Sequence, residues 1–385
     1  MMKGSIPSRR FARIAPSNSG PDPIRYSGLQ RLLVIALAGI GDTLMATPFL
    51  HELRENFPDA TVDTLVLWPG ARQVLTGNPH VGTVFQHNFI KASKLASLRF
   101  VLGLRRRRYD ASFNVHPQAR TEYRLIARLI GARRRFSHRY DRWTWLDERC
   151  VTDSVPQDYA VHAHENNLRL LELGGGSRRL AEPRYELTFS EPELKWAVQF
   201  LQGHGLLGQR WLGLHVGSGG TKNLALRRWP LEHYQELAQR LSGSQPGLPL
   251  LFFGGPEEAE AHAVLFQQLR GGRVHFPESP SVRHAAALLA QAHAFLSVDT
   301  LFMHLAAAVQ VPHQFVIQTP TVNPPILPLR TGWHLIPNTR VGDRALEFYR
   351  YDGGPIRGTD AELRAIMASV SAEAVEAQLR QYAFA

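Results

Sequence analysis

Asp42 lies in a glycine-containing loop that directly follows the apolar run Leu32–Leu37. This loop, residues 39–48, reads Gly-Ile-Gly-Asp-Thr-Leu-Met-Ala-Thr-Pro. A carboxylate held at the end of a buried strand can act as general base on a hydroxyl group. The same aspartate could instead cap the following helix, which is the commoner role at this spacing. The residues alone leave both roles open.

The same loop superficially resembles a dinucleotide-binding turn. Gly39 and Gly41 have the right spacing, and Asp63 falls near the second strand. The third glycine position is occupied by Leu44, however, so the close packing of helix on strand is not arranged in the usual way. Asp42 would also repel a pyrophosphate at the helix N-terminus. These two residues disfavour an NAD-dependent oxidoreductase.

A second loop, Gly217–Lys222, is rich in small residues and is followed by Arg-Arg-Trp-Pro at 227–230. Small residues after a strand let backbone N–H groups approach an anion, and Arg227 or Arg228 could neutralise a phosphate. The spacing is not that of a P-loop. A surface loop with two solvated arginines is the alternative.

A third loop begins at Ser297, where Asp299 and Thr300 stand at the predicted start of a helix. Their side chains or amides could cap that helix or receive an anion. His304 follows one turn later, on the side that faces back towards the loop. A single histidine in such a position is more often packed in a core than a ligand.

The elements that position these loops predict two successive doubly wound α/β domains. Apolar runs alternate with glycine turns and amphipathic helices, which is typical of parallel sheets covered on both faces. The predicted division is a basic tail (1–28), an N-terminal domain (29–184), a C-terminal domain (185–340) and a helical segment that packs back across both (341–385). Because ligands of such folds bind at the carboxyl ends of strands, all three loops should face one crevice.

Charge is distributed unevenly along the 385 residues, whose formal net charge is +11. Residues 1–184 hold 28 Lys and Arg against 16 Asp and Glu, whereas residues 185–385 hold 16 against 17. The first half should therefore meet something anionic. The single cysteine, Cys150, excludes a disulfide framework and a cysteine-based metal site and suits a reducing cytoplasm. No segment is long and apolar enough to span a bilayer.

Taken in order, the motifs resemble those of glycosyltransferase family 9, the lipopolysaccharide heptosyltransferases, over about residues 30–380. They comprise the loop at 39–48, His-Val-Gly-Ser at 215–218, Arg-Arg-Trp-Pro at 227–230, Phe-Gly-Gly-Pro-Glu-Glu at 253–258, and Ser-Val-Asp-Thr at 297–300 with His304. The resemblance implies a GT-B architecture, in which two Rossmann-like domains face each other across a cleft. It also implies inverting transfer from a nucleotide sugar, commonly ADP-heptose, without a metal or other cofactor.

The resemblance assigns Asp42 as the base that takes the proton of the acceptor hydroxyl. Arg227 matches a position where the family often has a lysine that contacts phosphate, and Glu257 matches an acid that contacts the nucleoside, with Glu258 as a possible substitute. The donor contacts implied in the C-terminal domain are Ser218, Gly219, Arg227, Glu257, Asp299, Thr300 and His304.

Three departures weaken the assignment of ADP-heptose more than that of the family. Leu301 stands where the family usually has glycine, and its side chain could crowd a phosphate. Residues 318–321 read Gln-Thr-Pro-Thr instead of Phe-Gly-Pro-Thr, and the C-terminal cysteines of many relatives are absent. The alternatives are a family member that uses another nucleotide sugar, or one that only binds it.

The predicted partners are a nucleotide sugar and an anionic glycolipid or glycan acceptor, met in the cytoplasm with peripheral contact to the inner membrane surface. Candidate acceptor contacts are Arg105, Arg108, Arg133 and Arg135. The four adjacent arginines at 105–108 could equally be a solvated helix end. Nucleic acid is not expected as a partner, because no helix-turn-helix, zinc-finger or RNA-binding signature accompanies the basic charge.

Overall fold

Two six-stranded sheets, each formed by its own half of the chain, organise the protein. The computed structural model describes residues 28–217, 224–269, 272–320, 326–341 and 358–384. The structure confirms the expected α/β class with doubly wound parallel sheets, because every pair of neighbouring strands in both sheets is parallel.

The N-terminal sheet has the strand order β3-β2-β1-β4-β5-β6. Its strands are β1 (Arg31–Ala36), β2 (Thr61–Val66), β3 (Val84–Gln86), β4 (Ala111–Asn114), β5 (Arg134–Arg139) and β6 (Asp153–Pro156). The helices of this half are α1 (Ile40–Met45), α2 (Thr47–Asn56), α3 (Pro69–Val74), α4 (Lys94–Arg105), α5 (Thr121–Ile130), α6 (Trp145–Cys150) and α7 (Ala163–Leu173).

The C-terminal sheet repeats this order as β12-β11-β10-β7-β8-β9. Its strands are β7 (Leu212–His215), β8 (Leu250–Phe253), β9 (Val274–His275), β10 (Ala294–Ser297), β11 (His313–Ile317) and β12 (Trp333–Ile336). The helices described in this half are α8 (Glu191–Gly203), α9 (Leu231–Ser244), α10 (Ala259–Gln268), α11 (Val282–Leu289), α12 (Leu301–Ala308), α13 (Asp360–Ala368) and α14 (Ala372–Tyr382).

Strand β1 shows how the sequence produces a sheet buried on both faces. Leu32 and Val34 pack into one apolar cluster, while Leu33 and Ile35 pack into another on the opposite face. Because successive side chains of a strand point to opposite faces, a strand covered on both sides must be apolar throughout. The run Leu32–Leu37 is entirely apolar for this reason.

Both strand orders reverse direction at one point, and the chemical loops lie at these two points. In the N-terminal sheet the reversal is at β1 and β4, and the loop after β1 carries Asp42. In the C-terminal sheet it is at β7 and β10, and the loop after β10 carries Asp299. Adjacent strands whose crossovers leave in opposite directions open a crevice at their carboxyl ends, where ligands of such sheets bind.

The spacing of Leu44, Met45, Leu50 and Leu53 predicts one helix that runs to about Asn56, but the structure has two helices that meet at Ala46. Pro48 has no backbone N–H to donate to the carbonyl of Leu44, four residues earlier. The Thr47 hydroxyl donates to that carbonyl instead, at 2.7 Å. A proline in the first turn of a new helix is well tolerated, so α2 restarts there in a different direction.

The C-terminal helices are expected to pack across both domains, and the contacts described below for residues 358–384 lie in the C-terminal half. Met367, Val375 and Leu379 join the apolar cluster of the C-terminal sheet. The Trp229 indole donates to the carbonyl of Val370 at 2.7 Å, also within that half. The predicted tail at 1–28 lies outside the described residues except for Gly28, as do residues 342–357. Among the described residues, no helix is long and apolar enough to cross a membrane.

Arg283 of α11 joins the two halves in a buried cluster. Its guanidinium donates to the Glu193 carboxylate at 2.5 and 2.8 Å, and to the carbonyls of Gln73 and Thr76 in the N-terminal half at 3.1 and 2.9 Å. These bonds hold the pKa of Glu193 at about 2. One arginine therefore fixes α11 against the end of α3.

We expect Arg283→Met to lower the melting temperature strongly. Removing one partner of a buried ion pair leaves an uncompensated charge and costs about 3–5 kcal/mol of unfolding free energy. Calorimetry of the full chain measures this effect. The matched control is Arg178→Met, because Arg178 pairs with Glu165 and Glu172 at an exposed site. Equal losses in the two variants would contradict a special role for Arg283.

Candidate active site

The two crevices meet where α1 of the N-terminal half packs against α12 of the C-terminal half. Their closest approach is at Gly41, where an added Cβ would overlap the imidazole ring of His304. This position therefore requires glycine, because any side chain would clash with the His304 ring. This contact brings the helix that carries Asp42 directly onto the helix that follows Asp299 and Thr300.

Asp42 occupies the first turn of α1 and is half-buried. Its Oδ2 accepts the backbone N–H of Gly39 at 2.7 Å, so Asp42 bonds back to the N-cap residue from the third position of α1 and is not itself the N-cap. Capping does not exclude catalysis, because a carboxylate has two oxygens and several lone pairs. The bond fixes the orientation of the group at the mouth of the crevice.

Three tyrosines surround the charge of Asp42. Burial is the main reason that the pKa values of Tyr123, Tyr140 and Tyr185 are raised, and the Asp42 carboxylate raises each of them further. Tyr123 lies on α5, Tyr140 follows β5, and Tyr185 lies in the segment that joins the halves. Their hydroxyls stay protonated at neutral pH. That of Tyr140 accepts the N–H of Gln118 at 2.8 Å, and that of Tyr185 lies against a histidine ring.

His304 is buried, and its pKa is lowered to about 3 by burial and, secondarily, by His162. It is therefore neutral at physiological pH. Its ring lies 6.0 Å from that of Tyr185, whose hydroxyl lies 3.2 Å from His162 Nε2. A neutral imidazole at this place can hydrogen-bond a ligand but does not add positive charge.

Arg227 and Asp299 form a buried ion pair beside this helix. Their residues are only 8% and 7% exposed. Burial raises the pKa of Asp299, while the Arg227 guanidinium opposes that shift. The arginine predicted to contact phosphate is therefore held by the predicted donor-binding aspartate, in the loop at the C-terminal switch point.

Thr300 caps α12 and Leu301 begins it. The Thr300 hydroxyl accepts the N–H of Phe302 at 3.1 Å, so the predicted cap is present. Leu301 is partly buried against the apolar cluster of this half. Outside glycine, only Arg108 and Gln310 have positive φ among the described residues. The backbone at Leu301 therefore does not require glycine, and its side chain turns at least partly into the core.

Glu258 lies closer than Glu257 to the loop after β7. Glu257 is exposed, whereas Glu258 is buried and accepts the N–H of Gly255 at 2.8 Å. An added Cβ on Gly217 would overlap the Glu258 carboxylate. Burial raises the pKa of Glu258. The geometry thus favours Glu258, the substitute position, over Glu257 as the acid beside the donor loop.

Ser218 and Gly219, the remaining predicted donor contacts, lie outside the described residues. His215, just before them, was not predicted as a site residue. Its ring stacks on Phe302 with centroids 4.4 Å apart, and burial lowers its pKa to about 3. The signal in the sequence is its position, because His215 ends a strand at the switch point and lies two residues before the glycine-rich loop.

The predicted acceptor contacts lie at the opposite edge of the N-terminal sheet from Asp42. They precede or begin strands β4 and β5, whereas Asp42 follows the carboxyl end of β1. About 13–20 Å of parallel strand separates the two edges. Several of these arginines are occupied locally, for example Arg135, which donates to the carbonyl of Cys150 at 2.8 Å. Arg105, Arg108, Arg133 and Arg135 remain predicted acceptor contacts, and this placement puts them away from the edge of the sheet that carries Asp42.

A family model described as glycosyltransferase family 9 (heptosyltransferase) matches residues 98–316, which is more than half of the chain. A relative from Escherichia coli, lipopolysaccharide heptosyltransferase 3, is 26% identical over 287 residues and covers 71% of this chain and 78% of its own length. Lipopolysaccharide heptosyltransferase 2 of Salmonella typhimurium is 23% identical over 341 residues, covering 83% and 93%.

Solved structures show the same fold. A family 9 glycosyl transferase from Veillonella parvula superposes with a TM-score of 0.71 at 20% identity, covering 92% of this chain and 97% of its own. The E. coli heptosyltransferase WaaC, solved with ADP-2-deoxy-2-fluoro heptose, gives 0.65 at 20% identity, covering 91% and 99%. The expected GT-B architecture is confirmed by these likenesses and by the two facing sheets.

We expect Arg227→Met to destabilise the protein more at pH 7 than at pH 4. Without Arg227, the buried Asp299 has its pKa raised still further above its ordinary value of 3.8. A raised carboxyl pKa means that the folded state binds more protons than the unfolded state, so stability falls as pH rises through this range. The measurement is the melting-temperature difference from wild type between pH 4 and pH 7.

The control for this prediction is Arg227→Met combined with Asp299→Asn. An amide does not ionise, so the added pH dependence should disappear in the double variant. A melting-temperature deficit of Arg227→Met that is the same at both pH values would contradict the coupling of the two side chains.

Proposed function

Because the chain belongs to glycosyltransferase family 9 and is thereby a glycosyltransferase, we propose that it moves a sugar from a nucleotide donor to a surface-glycan acceptor. The proposed donor is ADP-heptose, and the proposed acceptor is a lipopolysaccharide core or related anionic glycan. The observation that carries the proposal is the packing of α1, which carries Asp42, on α12, which directly follows Asp299 and Thr300. Asp299 also holds Arg227 in that half.

In the proposed reaction, Asp42 is the general base. Its carboxylate takes the proton of an acceptor hydroxyl as that oxygen bonds to the anomeric carbon. The bond from the anomeric carbon to the diphosphate breaks, and its electron pair leaves with the nucleoside diphosphate. A single displacement of this kind inverts the configuration at the anomeric carbon. The fixed hydrogen bond from Gly39 supports this role, because it holds the carboxylate in one orientation.

The leaving diphosphate gains charge in this step and needs stabilisation. We assign Arg227 as the cation, held in place by Asp299. The N-terminus of α12, beginning after Thr300, supplies oriented N–H groups and the positive end of a helix dipole. Neutral His304 supplies a hydrogen-bonding group in the same region. With a base and a cation provided by side chains, the proposed step uses no metal and no other cofactor.

We propose that α4 contacts a membrane surface and that the acceptor reaches Asp42 from that surface. Leu95, Leu98 and Leu102 are spaced for one helix face and are all exposed. Helix α4 contains no acidic residue. The exposed basic residues in and beside it are Lys91, Lys94, Arg99, Arg105 and Arg108. Apolar side chains ringed by cations favour the interface of an anionic bilayer. Under this proposal Arg105 and Arg108 contact the anionic headgroups of the lipids.

We expect Asp42→Asn to abolish transfer while leaving donor binding nearly unchanged. The asparagine carbonyl can still accept the Gly39 N–H, but an amide cannot take a proton. A positioned base contributes about 10²–10⁴-fold to rate, so the turnover number should fall by at least that factor. Transfer is followed with ADP-heptose and a lipopolysaccharide-core acceptor, and donor binding by calorimetry.

Arg227→Lys tests donor binding. Because lysine retains the positive charge, this variant should bind the donor only modestly more weakly than the wild type. Wild-type protein that binds ADP-heptose but neither transfers nor hydrolyses it would favour the alternative of a sugar-nucleotide binding protein. Full turnover in Asp42→Asn would remove Asp42 as the base.

We expect Leu98→Asp to reduce binding to anionic vesicles at least tenfold, because it places a charge in the apolar face of α4. Sedimentation with vesicles of phosphatidylethanolamine and phosphatidylglycerol measures this, and binding should fall as salt rises. Leu207→Asp is the control, since Leu207 is an equally exposed leucine in the C-terminal half. Equal effects of the two substitutions would contradict a membrane role for α4.

A further inference from the structure

Two histidines and a glutamate outside the proposed catalytic group converge between α2 and the segment that joins the two halves. His51 lies on α2, His80 follows α3, and Glu186 lies in the segment that joins the two halves. His51 Nδ1 is 2.6 Å from Glu186 Oε1, and His80 Nε2 is 3.1 Å from Glu186 Oε2. The two rings are stacked with centroids 3.8 Å apart.

We propose that His51, His80 and Glu186 bind one divalent transition-metal ion, with Zn²⁺ as the best match. Two imidazoles and one carboxylate are a donor set that zinc prefers, and they leave a fourth position for water. Among the described residues, this is the one group of three or more His, Cys, Asp or Glu whose ligand atoms lie close enough to share an ion. Hard cations such as Mg²⁺ prefer oxygen ligands and are excluded as the best occupant.

The spacing of the ligand atoms suits such a site after a small adjustment. All three lie within 4.8 Å of one another. In a tetrahedral zinc site with bonds of about 2.1 Å, ligand atoms are separated by about 3.3 Å. Because the three side chains are half-buried and not locked in a core, small rotations bring them to this distance.

The surroundings of the cluster fix its ligands. Glu55 Oε1 lies 3.7 Å from His51 Nε2, the ring nitrogen that does not face Glu186. With a metal on Nδ1, the neutral ring carries its proton on Nε2, which then faces this carboxylate, as is common for metal-bound histidines. The Glu186 backbone N–H donates to the Thr47 hydroxyl at 2.9 Å, and the His80 N–H to Asn78 Oδ1, also at 2.9 Å.

The ion would tie the joining segment to the N-terminal half. Glu186 directly follows Tyr185, whose ring lies 6.0 Å from that of His304. Holding Glu186 to α2 through His51 therefore fixes the segment that carries a side chain of the crevice. The role is structural, and Asp42 keeps the proposed proton transfer. The inference does not depend on which sugar is transferred, or on transfer at all.

The test is zinc binding by the full chain after metal has been stripped with a chelator. Competition against a chromophoric zinc chelator should show one site of submicromolar affinity, and Zn²⁺ but not Mg²⁺ should raise the melting temperature by several degrees. His80→Gln, His51→Gln and Glu186→Gln should each weaken binding at least 100-fold. X-ray absorption of the loaded protein should show two imidazole ligands.

His204→Gln serves as the matched control, because His204 is also partly stacked on an aromatic ring but lies outside the cluster. It should bind zinc as the wild type does. Glu186→Gln preserves size and a hydrogen-bond acceptor, so it remains informative if a histidine variant fails to fold. Unchanged affinity in folded cluster variants, or zinc bound only at other histidines, would overturn the proposal.

Discussion

The packing of α1 on α12 at Gly41 is the constraint on which the rest of the site depends. Each sheet by itself offers only its own crevice, at the carboxyl ends of its switch-point strands. The two halves complete one site only if a helix from each can approach backbone to ring. The absence of a side chain at Gly41 permits this approach to His304. Asp42 is the next residue in the chain after Gly41, so it lies beside this contact.

Burial then determines the charge of each group around that contact. His304 and His215 are pushed to neutrality, with pKa values of about 3, because a charged imidazole would lose its hydration. The described positive charge in the C-terminal crevice is therefore arginine, whose guanidinium stays protonated when buried. Arg227 avoids an unpaired buried charge by bonding Asp299. A bound diphosphate would compete with Asp299 for the Arg227 guanidinium. In the absence of the diphosphate, Asp299 keeps this cation paired and in place.

Apolar runs such as Leu32–Leu37 predict strands well, because parallel packing requires that pattern. Strands β5 and β6 have no such run, since charged residues stand in them. Asp42, Arg227, Asp299, Thr300 and His304 are predicted as site residues from their places after apolar runs and from the family resemblance. What spacing could not predict were choices made by three-dimensional packing. Glu258 is buried rather than its neighbour Glu257, and Tyr185 reaches the crevice from a segment without periodicity. The place of the arginines at 105–108 could not be predicted for a related reason, since charge counts do not tell which edge of a sheet a residue occupies.

The edge occupied by these arginines changes what the uneven charge of the chain can do. A positive surplus at the amino edge of the N-terminal sheet is separated from Asp42 by about 13–20 Å of strand, beyond the Debye length of about 8 Å at physiological ionic strength. It therefore has little effect on the proton affinity of Asp42 or on a leaving diphosphate. Under the proposed membrane contact, its effect would be on the approach and orientation of the whole molecule at an anionic surface. The proposed chemistry would depend instead on single groups held by specific bonds: Asp42, which accepts the Gly39 amide, and Arg227, which pairs with Asp299.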